Sequence, residues 1–161
     1  MREGRPIFLR LEMNGEIMTK EVMVTISGFQ LAEEEEDAVE LVHVGEYYEK
    51  NGTHYILFEE VMEGLEEPVK NMIKIKERRV EVQKKGPVTY SMVFEEGRSQ
   101  SSTYAVPYGS FLIETLTNSV HIRREEERIE VSASYELDIN GAHCADCDIR
   151  IKVESREGFR L

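Results

Sequence analysis

Cys144-Ala145-Asp146-Cys147 is the stretch of this chain whose residue types and spacing most directly suggest chemistry. Two thiolates at that spacing can hold half of a tetrahedral zinc site, with His143 and Asp148 as third and fourth donors. Structural zinc sites usually bring a second pair of ligands from elsewhere, and the chain has only 2 cysteines. Thiol redox chemistry wants Cys-x-x-Cys at a helix start in an α/β setting. Here the motif follows a turn in a chain of strands. The expectation is therefore a loop with two incidental thiols. No metal and no cofactor is expected, and Cys144, Cys147 and His143 are the candidates if a metal binds at all.

The 4 histidines come next as general bases. His43 interrupts Val42 and Val44, His54 follows a turn, His121 alternates with Val120 and Ile122, and His143 adjoins the thiols. Strand histidines of this sort are expected at a surface or interface. No serine sits in a G-x-S-x-G elbow; Ser110 follows Gly109 without the second glycine. There is no H-E-x-x-H helix and no phosphate loop. Glu59-Glu60 and Glu95-Glu96 lie on strands, where neighbours point to opposite faces. Each pair reads as one solvated residue and one end-of-strand residue, not as the acid and base of one site. Distant residues can still assemble a triad, yet the balance is against an enzyme, and no catalytic residue is assigned.

These residues must be positioned by strands. From Thr19 onward the apolar period is two. Ile129, Val131, Ala133, Tyr135, Leu137 and Ile139 form the longest alternation, against Glu130, Ser132, Ser134, Glu136 and Asp138. Two Asn-Gly pairs, Asn51-Gly52 and Asn140-Gly141, sit where such runs fold back; that dipeptide best tolerates the positive φ of a type I′ hairpin. Further breaks are read at Gly28, Gly45, Gly64, Gly86-Pro87, Gly97 and Pro107 to Gly109. Glu59 to Glu67 reads as a long connection stopped by Pro68, and the acidic run Glu33 to Asp37 as a solvated loop. The fold class expected is all-β: an antiparallel, mostly up-and-down β-barrel of roughly eight to ten strands, since closure removes open edges.

Alternation gives Tyr90, Met92, Phe94, Tyr104 and Tyr135 one apolar face, and Tyr108, between Pro107 and Gly109, a place near a mouth. An eight-stranded barrel is just wide enough to be filled by side chains or to hold one small ligand. Filling is the simpler outcome for residues this large. But an inward tyrosine hydroxyl without a partner costs about 1–3 kcal/mol. Several of them require a polar network, ordered water or a bound molecule with polar groups. Tyr90, Met92, Phe94, Tyr104, Tyr108 and Tyr135 are thus the candidate ligand-binding residues of the lumen.

Charge narrows the partners. The 161 residues carry 32 acids against 20 Lys and Arg, a net charge of −12. Such a surface repels nucleic-acid phosphates and anionic membranes. The basic stretch Lys70 to Arg79 alternates with Ile73 and Ile75 and reads as one solvated strand face. No apolar run reaches the ~20 residues of a membrane span, and the N-terminus lacks the apolar block of a secretory signal. The expectations are cytoplasmic residence, a small molecule as partner, neither nucleic acid nor membrane, and a monomer or homodimer.

Residues 1–17 read as an N-terminal extension, basic through Arg2, Arg5 and Arg10, ahead of a single barrel domain over 18–161. Met18 is the expected natural start, with an extra strand or arm as the rival reading. Several phrases of that domain occur together: Gly45 to Gly52 followed by Tyr55-Ile56 and Phe58-Glu59-Glu60, then Met92 to Gly97, Tyr104 to Gly109, and Tyr135 to Gly141. In this order the chain resembles the uncharacterised bacterial YwiB-like family, from about Met18 to Glu154. The resemblance implies a calycin, lipocalin-like β-barrel in a cytoplasmic bacterial setting. It implies no activity and lends no catalytic residues. The extension and the Cys144–Cys147 pair look unlike the family's usual pattern. Two functions follow: a barrel binding a small apolar or amphipathic molecule in its lumen, or an interaction module acting through a rim, an edge or a dimer surface.

Overall fold

The computed structural model describes residues 19–28 and 40–156. The extension at 1–17, the start at Met18 and the acidic run Glu33 to Asp37 lie outside the described residues. Ten strands follow one another: β1 Lys20–Ser27, β2 Glu40–Lys50, β3 Thr53–Glu60, β4 Val69–Ile75, β5 Val80–Lys85, β6 Tyr90–Phe94, β7 Ser99–Val106, β8 Gly109–Glu125, β9 Arg128–Ile139 and β10 Ala142–Ser155. Their order in the sheet is β6-β5-β4-β3-β2-β1-β10-β9-β8-β7. The first and last strands pair antiparallel, Val24 opposite Val153, so the chain's two halves join through β1 and β10. The result is an up-and-down, nearly closed barrel.

The two Asn-Gly turns form as the sequence predicts. Asn51 and Gly52 have φ of 53° and 80°, Asn140 and Gly141 of 51° and 86°, the left-handed values of a type I′ hairpin. Gly45 is different. It lies inside β2 rather than at a break. A Cβ there would stand 2.8 Å from the Leu57 carbonyl oxygen and 3.3 Å from Val24 Cγ2, so glycine is kept for a close approach between strands. A turn the sequence did not signal joins β8 to β9, with Glu127 at φ 70° and no glycine or asparagine to mark it.

The remaining seam lies between β6 and β7. One bridge closes its upper part: Thr89 N–H donates to the Ala105 carbonyl at 2.9 Å, and Ala105 N–H donates back at 2.8 Å. Below it the strands diverge and side chains take over. Ser91 N–H donates to Ser102 Oγ at 3.3 Å, and Val93 N–H to Gln100 Oε1 at 2.9 Å. Past the end of β6, the connecting turn pairs with β8: Gly97 N–H donates to the Thr117 carbonyl at 2.8 Å, and Thr117 N–H donates to the Arg98 carbonyl at 3.0 Å. Side-chain acceptors thus do the pairing that a tenth ladder would otherwise supply.

Inside, the period-two pattern becomes the core. Val22, Val24, Ile56, Phe58, Ile73, Ile75, Val80, Val82, Val131 and Ile151 are buried with Met92, Phe94, Tyr135 and Leu137. Phe94 and Tyr135 meet across the barrel with ring centroids 4.9 Å apart. The middle of the barrel is occupied by these side chains. Among the described residues no helix is long and apolar enough to cross a membrane.

Candidate functional site

The inward-facing positions stop being apolar at one end of the barrel. Register shows why. Ile56 pairs with Ile73 and Phe58 with Asn71, while Asn71 pairs with Lys84 and Lys84 with Tyr90. Counting by twos along each strand carries the inward face from Ile56 and Phe58 to Glu60, from Ile73 to Asn71, and from Val80 and Val82 to Lys84. On β2, His43 pairs with the buried Val24 and faces the same way. His43 lies near the start of β2, Glu60 ends β3, Asn71 lies near the start of β4, Lys84 lies near the end of β5 and Tyr90 opens β6, so all five meet at one mouth.

There they bond to one another. Lys84 Nζ forms a close ion pair with Glu60 Oε1 and donates to Asn71 Oδ1 at 2.8 Å. Asn71 Nδ2 donates to the same Glu60 oxygen at 3.1 Å. His43 Nε2 stands 3.8 Å from Glu60 Oε2, and its ring stacks on Phe58 at 4.5 Å. Lys84 Nζ also lies 6.0 Å over the Tyr90 ring. Burial alone would push the Glu60 carboxyl up. The Lys84 hydrogen bond and charge outweigh it, with help from Asn71 and His43, and hold it below the usual value. Burial lowers the His43 imidazole, against the pull of Glu60 and with a push from Lys84. Burial, then Glu60 and Tyr104, raise the Tyr90 hydroxyl well above its ordinary value.

The sequence predicts one solvated and one end-of-strand residue for Glu59-Glu60, and a surface or interface for His43. Glu60 does end β3, but both Glu60 and His43 turn inward, and the sequence pattern does not single out Asn71 and Lys84. The signal was parity: each residue keeps the beat of the apolar residues on its own strand. Of the six lumen candidates, Tyr90, Met92, Phe94 and Tyr135 are inward and buried. Tyr104 is half-buried, with its ring 5.5 Å from Tyr90 in an edge-on contact. Tyr108 is 85% exposed, so its ring stands in solvent rather than over the core.

The thiols lie not in a loop, as the sequence predicts, but on β10, because the strand starts directly after the Asn140-Gly141 turn. β10 shifts register between His143 and Ala145, and the extra residue is Cys144, which is exposed. Cys147 faces inward opposite Tyr135 and is half-buried. Burial raises its thiol more than the Tyr135 hydrogen bond lowers it. The His143 imidazole lies 3.4 Å from Asp138 and 3.5 Å from Asp146. Among the described residues no three His, Cys, Asp or Glu side chains are grouped so as to hold a metal ion.

The opposite mouth holds a tyrosine–histidine pair. Tyr47 and His54 are hydrogen-bonded at 2.8 Å beside a pocket of about 120 Å³ lined also by Val22, Ile129 and Val153. Burial pushes the Tyr47 hydroxyl up to about 12, and it lowers the His54 imidazole.

Known proteins match this architecture. The chain is 26% identical to the "Uncharacterized beta-barrel protein YwiB" of Bacillus subtilis (strain 168) over 125 residues, 76% of this chain and 86% of the relative. The crystal structure of the ywiB protein from Bacillus subtilis superposes with a TM-score of 0.73 at 22% identity, covering 89% of this chain and 97% of that one, a likeness of fold. The model of a domain of unknown function, DUF1934, matches residues 24–151, which is most of the chain, and the protein therefore belongs to that family of YwiB-like β-barrels.

Proposed function

We propose that this protein is a non-catalytic binding barrel whose site is the polar mouth, and that its ligand is a small amphipathic molecule. The ligand's polar group meets Lys84, Glu60, Asn71 and His43. Its apolar part lies over Tyr90 and Tyr104, with Met92, Phe94 and Tyr135 as the floor beneath. The observation that carries this reading is the Glu60–Lys84 ion pair on inward-facing positions of the barrel wall. Withdrawing two charges from water costs several kcal/mol per ion, so such a pair adds little to stability compared with apolar residues of similar volume. Its presence in line with Ile56, Phe58, Val80 and Val82 supports a recognition role. A lipocalin-like barrel in the bacterial cytoplasm is the setting this reading assumes.

Native mass spectrometry of freshly purified protein tests it. The expected result is a co-purifying small molecule, lost in Lys84→Met and reduced in Tyr90→Phe. A wild-type protein that emerges without bound mass, and that shows no thermal shift with any compound of a metabolite library, overturns it.

The alternative is an interaction module. It rests on the outer face of β2, where Val42 and Val44 are 50% and 48% exposed. They pair with Thr25 and Met23 of β1. A clean dimer without ligand, dissociated by Val44→Asp, favours that reading.

A further inference from the structure

We propose that the outer wall of the barrel carries a second site, separate from the mouth, for a small phosphorylated molecule. A groove of about 540 Å³ lies on the outer face of β1, β10, β9 and β8, with Glu40 of β2 at its edge, within the range of roughly 300–1,000 Å³ typical of small-molecule sites. Two cross-strand rows line it. One runs Ser27–Arg150–Ser132–His121, the other Thr25–Lys152–Glu130–Arg123. All eight side chains belong to the face opposite the buried Val24, Ile151 and Val131.

The charges in the two rows are not equivalent. Glu130 is already engaged, by Arg123 at 2.8 Å and by a close pair with Arg128. It is not free to neutralise Lys152. Neither Arg150 nor Lys152 has an ion-pair partner among the described residues. Two cations without an ion-pair partner among the described residues therefore stand two residues apart on one strand face, about 7 Å from each other. The groove's other carboxylate, Glu40, lies beyond Ser27 at the end of the Arg150 row. Arg150 has a serine directly across on each side, and Lys152 has Thr25 on one side.

That arrangement suits phosphate. The guanidinium offers a planar fork of donors, and flanking hydroxyls at about 5 Å add single donors around a tetrahedral anion. Lys152 adds a point charge for a second anionic group. A long polyanion is disfavoured, because the chain's net charge of −12 repels it beyond the groove. The ligand class is thus a compact phosphate ester or diphosphate rather than nucleic acid.

Titration calorimetry at low salt with inorganic pyrophosphate, ADP, inorganic phosphate and succinate tests the assignment. Pyrophosphate and ADP are expected to bind saturably with one site per chain, more tightly than phosphate. Arg150→Gln is expected to weaken pyrophosphate roughly tenfold or more, since hydrogen bonds to charged groups are worth that much. Lys152→Gln should weaken it several-fold. Lys70→Gln, an exposed cation on β4, should leave it unchanged, as should Lys84→Met at the mouth. All of these but Lys84 are surface positions, and circular dichroism confirms that each variant is folded. No saturation in the millimolar range, equal loss in Lys70→Gln, or succinate binding as tightly as pyrophosphate overturns the proposal. A failure here leaves the ligand at the mouth untouched, because Lys84→Met reads that site alone.

Discussion

The side-chain carbonyl of Gln100 accepts the backbone N–H of Val93 at 2.9 Å, standing in for a main-chain acceptor along the β6–β7 seam. Val93 is itself buried. Removing the acceptor leaves a shielded donor without a partner. Gln100→Leu is expected to cost about 1–2 kcal/mol. Urea unfolding measures the loss, and hydrogen exchange at the Val93 amide should accelerate selectively. Unchanged exchange at Val93 would mean that the Gln100 side chain does not protect that amide, leaving the seam to Thr89, Ala105 and the Ser91–Ser102 bond.

The mouth cluster makes a prediction about coupling. Lys84→Met leaves the Glu60 carboxylate with Asn71 but no cation, and Glu60→Leu leaves Lys84 with Asn71 but no anion. Each single change is expected to destabilise by about 1–3 kcal/mol, because one charge stays shielded and uncompensated. The double variant Glu60→Leu/Lys84→Met should lose less than the sum, and its core should be at least as stable as either single variant. Additive losses in a urea double-mutant cycle would show that the two side chains do not act as a pair.

Much of this barrel was legible from the chain, and the misses have physical causes. The Asn51-Gly52 and Asn140-Gly141 hairpins follow from local backbone strain alone, and their positive φ values confirm it. Ile129 to Ile139 is readable because one buried face imposes a strict period of two. The β8–β9 turn escaped because Glu127 adopts φ 70° without the residue types that favour it. Gly45 misled because a glycine needed for close approach looks the same in sequence as one needed for a turn. The mouth cluster was hidden for another reason. Glu60, Asn71 and Lys84 keep the apolar beat, but polar residues on that beat look like strand ends. Their meeting depends on the registers of β3 with β4 and of β4 with β5, which composition does not encode.

Gly45 supplies a local test of that distinction. A methyl group there would press on the Leu57 carbonyl at 2.8 Å, which is backbone and cannot rotate away. Gly45→Ala is therefore expected to destabilise by about 1–3 kcal/mol. Gly109 meets nothing within 4 Å and has no positive φ, so Gly109→Ala should be close to neutral. Thermal denaturation of the two variants side by side reads the contrast. Equal effects would return Gly45 to the role of an ordinary strand glycine.

Acid sensitivity follows from both mouths. Burial lowers His43 and His54, each against an attractive glutamate, Glu60 or Glu49, and with a cation, Lys84 or Arg124, adding to the shift. A base whose folded pKa is depressed binds its proton more readily when unfolded. Stability is then full above the unfolded value of about 6.5 and falls as pH drops below it. Glu60 is also depressed, so its contribution holds above the unfolded carboxylate value of about 4.3 and is lost at lower pH. Urea midpoints should accordingly decline between about pH 7 and about pH 5 through the histidines, with Glu60 contributing only at the acid end. His43→Gln/His54→Gln is expected to flatten the slope between about pH 7 and 5, even where it lowers stability at every pH by removing the Tyr47–His54 bond. A slope unchanged in the double variant would assign the acid sensitivity to the carboxylates alone.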